Sequence, residues 1–351
     1  MTAAAHTCPV CGGRDLMAGP RAENVPAHAV RLIHDRASAR AEPRGTIVLV
    51  FCRSCGFAFN SAFDAALVSY DTAYESTQTH SQTFAEYMRG LVADLNGRAA
   101  GSGAVLDVGC GQGEFLAAFA EVSDRPLIGV DPALDFDRVQ VDQATLIPRV
   151  FRAADLAGPV ALITCKMTLE HVMDPVDLLR EMAVCAARSG ETLVFLQVPN
   201  VAHIYDRTLF ADIIYEHVNY FTAPALHTAC ARAGLEVVET FVTYGDQHLG
   251  VLARAGAAAN VDTSPDIAQF TGFQTRLATT IANARETLTS LIAAGRRPII
   301  WGAGSKAVAF LNFTGLEDAI ACAIDINPLK RNTFLPGSAI PVYLAEDAGD
   351  S

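Results

Sequence analysis

Two cysteine pairs and one glycine turn are the features whose residue types and spacing can support chemistry. Cys8-Pro-Val-Cys11-Gly and Cys52-Arg-Ser-Cys55-Gly are matching knuckles, each with Gly after its second Cys. Paired thiolates at this spacing reach one tetrahedral ion, and four together close its coordination. Such an ion has no open position, so it folds the chain and leaves catalysis to other residues. A structural Zn2+ on Cys8, Cys11, Cys52 and Cys55 is expected; four ordinary thiols are the alternative. The insert between the pairs, residues 12–51, is longer than the commonest spacing. The second feature is Leu106-Asp-Val-Gly-Cys-Gly-Gln-Gly-Glu-Phe-Leu116. It reads as a buried strand, a turn built on Gly109, Gly111 and Gly113, and a helix with an apolar face. That order makes a small-molecule site at the carboxyl end of a parallel sheet.

The acids around the turn narrow the ligand. Asp107 stands two residues before the first Gly, where it can meet a cation. No further Gly occupies the spacing of a dinucleotide fingerprint. The next strand, Leu127-Ile-Gly-Val-Asp131-Pro132, ends on an acid able to accept both ribose hydroxyls. Together these favour S-adenosylmethionine over a dinucleotide. Pro132 and Lys166 complete the expected cofactor contacts.

Two further segments carry acid–base groups. Lys166-Met-Thr-Leu-Glu-His171 follows the strand 161–165 and lies at the rim of the site. His171 reads first as a brace for its loop, and a base is the alternative. Tyr215-Glu216-His217-Val-Asn-Tyr220-Phe follows the strand 192–198 and overhangs the same sheet edge. A His beside a Glu there is a reasonable proton acceptor; a packed capping loop is the plain alternative.

Positioning these residues requires a parallel sheet. Strands are expected at 104–109, 127–131, 160–165, 192–198, 235–243 and 247–253, with helices at 113–122, 174–188 and 224–233. Strands alternating with helices imply an α/β doubly wound fold, and the last two strands should pair antiparallel. A strand is also expected at 46–51. Residues 66–100 carry Tyr70, Tyr74 and Tyr87 on helical or irregular segments. Residues 254–263 read as a linker. Ser264-Pro265 then reads as a helix start, with Ile267, Phe270, Leu277, Ile281, Leu288 and Leu291 on one packing face. Residues 297–301 and Gly302-Ala-Gly304-Ser-Lys-Ala307 form a second strand–turn–helix, with another strand at 320–325. A lone turn of this type favours a tight bend over a nucleotide site. The few residues after Asp325 imply a shortened last domain. The expected domains are a zinc lobe (1–65), a cofactor domain (66–255) and a partial Rossmann-like domain (256–351).

Of the 351 residues, 51% are hydrophobic and 18% charged, which supplies core for two or three domains. Net charge is −12, and no basic patch offsets it, so nucleic acid is not an expected partner. No apolar run approaches a membrane span. Met1-Thr-Ala-Ala-Ala-His6 lacks a basic start and an apolar core, so no signal peptide is expected and the default location is cytoplasmic. Cys110, Cys165, Cys185, Cys230 and Cys322 read as buried small hydrophobes.

The motifs also carry a resemblance. CxxC…CxxC, Tyr70-Asp-x-x-Tyr74, LDVGCGQG, TLEHVMDP, VPN and EHVNYF occur in this order, across nearly the whole chain. The chain resembles the zinc-containing sugar C-methyltransferases of deoxysugar antibiotic pathways. The resemblance implies a zinc lobe, a class I methyltransferase domain and a C-terminal Rossmann-like domain. It implies methylation at C3 of a dTDP-4-keto-deoxysugar, with His217 as base. Glu216, Tyr70 and Tyr74 would line the site, and His171 would be a second histidine near the substrate. The family's Tyr two places before the Glu is Ile214 here, with Tyr215 adjacent. The last domain would help hold the substrate. Methylation of oxygen or nitrogen on another metabolite is a second reading. A non-catalytic zinc- and cofactor-binding assembly protein is a third. Oligomeric state is not encoded in these motifs.

Overall fold

The computed structural model describes residues 7–71, 73–139, 141–257 and 263–349. Residues 1–6, the middle of the segment read as a linker, Thr72 in the tyrosine motif, and the final two residues lie outside the described residues. The N-terminal lobe contains β1 (Leu16–Pro26), α1 (Arg36–Arg40), β2 (Arg44–Cys52) and β3 (Ala58–Asn60). Next come α2 (Gln82–Arg98), β4 (Ala104–Val108), α3 (Glu114–Ala120), β5 (Leu127–Val130), β6 (Ala144–Ile147) and β7 (Val160–Lys166). These are followed by α4 (Pro175–Ala187), β8 (Leu193–Pro199), α5 (Val201–Arg207), β9 (Asn219–Tyr220), α6 (Ala223–Ala233), β10 (Leu235–Thr243) and β11 (His248–Ala255). The chain finishes with α7 (Ile267–Ala293), β12 (Ile300–Trp301), α8 (Ser305–Thr314), β13 (Ala323–Asp325) and β14 (Val342–Leu344).

The central sheet has the order β10-β11-β8-β7-β4-β5-β6. Its strands are parallel except β11, which pairs antiparallel with both β10 and β8. Alternate residues of each strand enter different cores. Leu106 and Ile163 face the α4–α6 side, while Val105 and Leu162 face α2 and α3. Both faces are covered, which is why these strands read as continuous apolar runs. The chain turns from β4 to β5 on one side, and β7 pairs on the other. The loops leaving β4 and β7 therefore diverge and open a crevice at the switch point.

Local chemistry fixes the helix ends. Asp174 accepts from Asp177 N ahead of α4, with Pro175 in the first turn. Thr222 caps α6, and Gly234 ends it in the left-handed region. The cap of α7 is Asp266, not Ser264; its carboxylate accepts from Gln269 N, leaving Pro265 outside the helix. A carboxylate also suits the positive end of the helix dipole.

The apolar stripe of α7 is divided. Phe270, Phe273 and Leu277 are buried against the lobe and α5, whereas Ile267 and Leu291 stay exposed. The helix is longer than the surface it covers. Phe270 stacks on Phe51 at 4.6 Å and meets Tyr205 edge-on, so one ring ties the lobe to α5. Cys322 is half-exposed rather than buried, because it precedes the short strand β13 at the margin of the last sheet.

The strand β1 was not expected, and the last unit adds β14 to the expected partial Rossmann-like domain. β1 is a long strand paired antiparallel with β2, with register shifts that break its alternation. β12, β13 and β14 form a parallel three-stranded sheet, so the second glycine turn sits in a small Rossmann-like unit. Phe270→Ala should lower unfolding stability by about 3–5 kcal/mol. Ile267→Ala should change it by about 0.5 kcal/mol or less. Denaturant titration of the two variants checks the difference.

Candidate active site

A cavity of about 1030 Å³ opens at the switch point. That exceeds a usual single-ligand pocket and leaves room for a cofactor with an acceptor beside it. Asp107, Gly109, Gly111, Asp131, Pro132 and Lys166 line it. Gly113 does not: it begins α3 at φ 85°, and an added Cβ would meet Val141. Gly109 has φ 77°, and a Cβ there would collide with the Thr168 side chain. Nothing lies within 4 Å of the Cβ position of Gly111, so the backbone there is open to a ligand. The cradle fits a cofactor that lies against bare backbone.

Its acids are pre-arranged. Asp131 accepts from Gly111 N at 2.9 Å and from Ala133 N at 2.7 Å. Asp107 is buried and accepts from Thr164 Oγ1 at 2.6 Å. Burial raises its carboxyl to about 6, against the pull of Thr164 and the Lys166 charge. Lys166 itself lies over the rings of Phe84 and Phe115.

Opposite the glycine turn stand His171, His217, Tyr70, Tyr74 and Glu216. His171 is on the turn after β7, and His217 lies two residues before β9. Asn219 joins the two segments by donating to Leu169 O at 2.8 Å and Val172 O at 2.6 Å. The imidazoles meet edge to face at 4.9 Å. His171 Nδ1 faces Glu216 O at 3.1 Å and Tyr70 Oη at 3.0 Å. A carbonyl only accepts, so Nδ1 carries the proton. The Tyr70 hydroxyl then accepts from His171 and keeps its own proton for another partner. Burial holds both tyrosines well above their ordinary range, so they remain donors.

Burial also keeps the imidazoles neutral. His171 falls to about 4, and His217 lies well below its ordinary value, through burial and then the neighbouring His171. Glu216 accepts from Ala29 N at 3.0 Å and is pushed up to about 7 by burial. Glu170 is pushed to about 8 by burial, and neither oxygen has a hydrogen-bond partner among the described residues.

Tyr215 is elsewhere. Its ring stacks on Phe63, its hydroxyl accepts from Asp64 N at 2.8 Å, and it does not line the cavity. Ile214 lines the cavity instead. Sequence reading passed over Glu170, although it stands inside the Leu-Glu-His motif. It also passed over Asn219, whose bridging role depends on a contact distant in sequence. The second glycine turn, expected as a plain bend, lies on the cavity wall through Trp301, Gly302, Gly304 and Lys306.

In the lobe, the four cysteine Sγ atoms lie within 4.8 Å of one another. Cys8–Cys55 and Cys11–Cys52 are 3.7 and 3.5 Å apart. Four sulfurs at tetrahedral zinc distance would be about 3.8 Å apart. Gly12 and Gly56 take φ 75° and 76°, giving the two knuckles the same turn. Without a cation the thiols compete for charge: Cys52, accepting from Cys55, is held down, and Cys8 is pushed up to about 12. The donor set fits zinc.

Comparison with known proteins agrees with this geometry. The family described as "Methyltransferase domain" matches residues 80–240, and "C-methyltransferase C-terminal domain" matches residues 246–350. The C-methyltransferase NovU of Streptomyces niveus is 28% identical, over 97% of this chain and 86% of its own length. A tRNA U34 carboxymethyltransferase of Campylobacter jejuni is 26% identical, over 40% of this chain and 51% of its own length. Among solved structures, an O-methyltransferase family protein from Burkholderia thailandensis aligns at TM-score 0.41 and 13% identity, covering 50% of this chain and 57% of that one.

The buried acid sets a pH dependence. Asp107 ionises above about pH 6 in the free protein, and only its ionised form attracts a sulfonium cation. Affinity for S-adenosylmethionine should therefore be full near pH 7.5 and about tenfold weaker at pH 5. Asp107→Asn should bind more weakly and flatten that slope. Calorimetry across the range measures both.

Proposed function

We propose, from the premise that this chain belongs to the class I S-adenosylmethionine-dependent methyltransferases with a C-methyltransferase C-terminal domain, that it methylates the carbon beside a ketone on a nucleotide-linked keto-deoxysugar. The observation that carries the reading is the convergence on one cavity of three things: the glycine turn after β4, the His171–His217–Tyr70 group, and the second glycine turn before α8. The cofactor supplies an electrophilic methyl on a sulfonium sulfur. The remaining work falls to side chains of this chain.

A ketone acidifies the neighbouring C–H bond, and neutral His217 takes that proton. Its low basicity makes it a weak base, so the forming enolate must be stabilised as charge develops. The proton left free on Tyr70 suits that oxygen, and Tyr74 stands at 5.1 Å from the Tyr70 ring, centroid to centroid. His171 fixes Tyr70 through its Nδ1–H. Glu216, tied to Ala29 N, fixes the backbone beside His217. The nucleotide end has its own supports. Trp301 is 70% exposed and lines the cavity, offering a ring for a base. Gly302, Gly304 and the start of α8 offer backbone to a diphosphate.

We assign the cysteine cluster to structural Zn2+, and we keep domain boundaries at 65 and 255. A small-molecule substrate, cytoplasmic location and secondary metabolism belong to the same reading. Among the described residues, no helix is long and apolar enough to cross a membrane.

His217→Asn should retain S-adenosylmethionine binding and lose turnover by roughly 10²–10⁴-fold. Carbon NMR of the product should show a new C–CH3; an O–CH3 or N–CH3 signal, or full activity in the variant, would sink the reading. Stripping zinc with a strong chelator should lower the melting temperature and turnover together. An unchanged melting curve with no zinc bound would count against a structural role.

A further inference from the structure

Glu170 is a buried carboxylate with two unpartnered oxygens on the cavity wall, at 1% exposure. A buried carboxyl with neither oxygen hydrogen-bonded carries an uncompensated desolvation cost, so this one calls for a ligand. One ligand atom each from Glu170, His171 and His217 lies within 4.8 Å of the other two. The backbone carbonyl of Glu216 holds His171 by its Nδ1–H, leaving Nε2 with a free lone pair. This is the outer-shell bond that orients a metal-binding histidine. Among the described residues no hydrogen bond engages the His217 ring; its ring contacts are with His171 and Tyr220.

We propose that Glu170, His171 and His217 form a second metal site, distinct from the four-cysteine site, which takes a divalent first-row transition ion and blocks proton transfer while filled. Two imidazoles and one carboxylate suit Zn2+, Co2+ or Mn2+ better than Mg2+ or Ca2+, which favour all-oxygen sites. Three protein ligands on a cavity wall leave the ion an open face. The blocking half rests on the reading of His217 as base, because ligation occupies the lone pair that would take the proton. No bond to carbon changes; the ion enters as M2+ and leaves as M2+.

The test uses the full chain with zinc already in its cysteine site, titrated with Co2+. The wild type should take up one Co2+ per chain, with the weak visible band of nitrogen–oxygen coordination and not the intense band of thiolate. Glu170→Gln and His217→Asn should each weaken uptake by at least about tenfold. Retained S-adenosylmethionine binding shows that the variants are folded. Wild-type turnover should fall as the site fills and recover with excess free histidine. No Co2+ uptake by the wild type overturns the site, as does equal uptake by all three proteins. Uptake that leaves turnover unchanged overturns the blocking role and points to a different base, while the site itself stands.

Discussion

The two-residue pairing of β3 with β9 is the constraint on which the active site depends. Ala58 faces Tyr220 and Phe59 faces Asn219 across it. The second cysteine knuckle runs directly into β3, and His217 lies just before β9. The lobe and the segment carrying His217 are therefore one mechanical unit, although residues 61–218 separate their strands in sequence. A pairing this short has little stability of its own. It persists because buried groups back it from both sides: Phe57 against Phe221, and Asn219 against the turn that carries His171. A metal in the knuckles would hold β3 rigid, and that rigidity would pass to His217 without any contact between ion and substrate.

Burial then sets the charge state of the site. The same low-polarity surroundings push each group toward its neutral form: imidazoles down, carboxyls and phenols up. Neutral imidazole is the form that can accept a proton, and neutral phenol is the form that can donate a hydrogen bond. One environment thus prepares both partners. Asp131 is also raised by burial, with the N–H groups of Ala133 and Gly111 pulling against the rise. Glu170 stands out because neither of its oxygens has a hydrogen-bond partner among the described residues, whereas Glu216 on the same wall lacks one on a single oxygen.

The central sheet was legible in the sequence because its strands are buried on both faces. Runs such as Ala161–Cys165 leave little choice of boundary, and the observed strands fall within a residue or two of the expected positions. β6 was missed because it is an edge strand, only partly buried and short. β1 was missed because its register shifts interrupt the period of two. The residues expected at the cofactor, Gly113 excepted, line the cavity for a different reason: a strand–turn–helix keeps most of them close in sequence. The acceptor side was less legible. Tyr215 and Ile214 differ by one position on an irregular segment, where no periodicity says which side chain faces inward. Cys322 illustrates the same limit at the end of a short strand.

Besides the Lys306–Asp212 ion pair, a buried carboxylate joins the last unit to the site. Glu75 is paired with Arg138, accepts from Thr77 N and accepts from Asn327 Nδ2 at 3.1 Å. It follows Tyr74 directly, so the segment carrying the two tyrosines is anchored to the cofactor domain and the C-terminal sheet at one point. Asn327 in turn donates its backbone N–H to Asp325, which also accepts from Ala303 N in the second glycine turn. A continuous polar path therefore runs from the turn beside Trp301 to the residue next to Tyr74. Any acceptor that orders the turn at 302–304 acts on a framework shared with the tyrosines. A long acceptor spanning both ends of the cavity would use remote binding energy to align its reacting carbon. A short one would reach the imidazoles without that leverage. The extent of the cavity and the shared anchor at Glu75 thus favour an acceptor with a recognition handle well separated from the methylated atom.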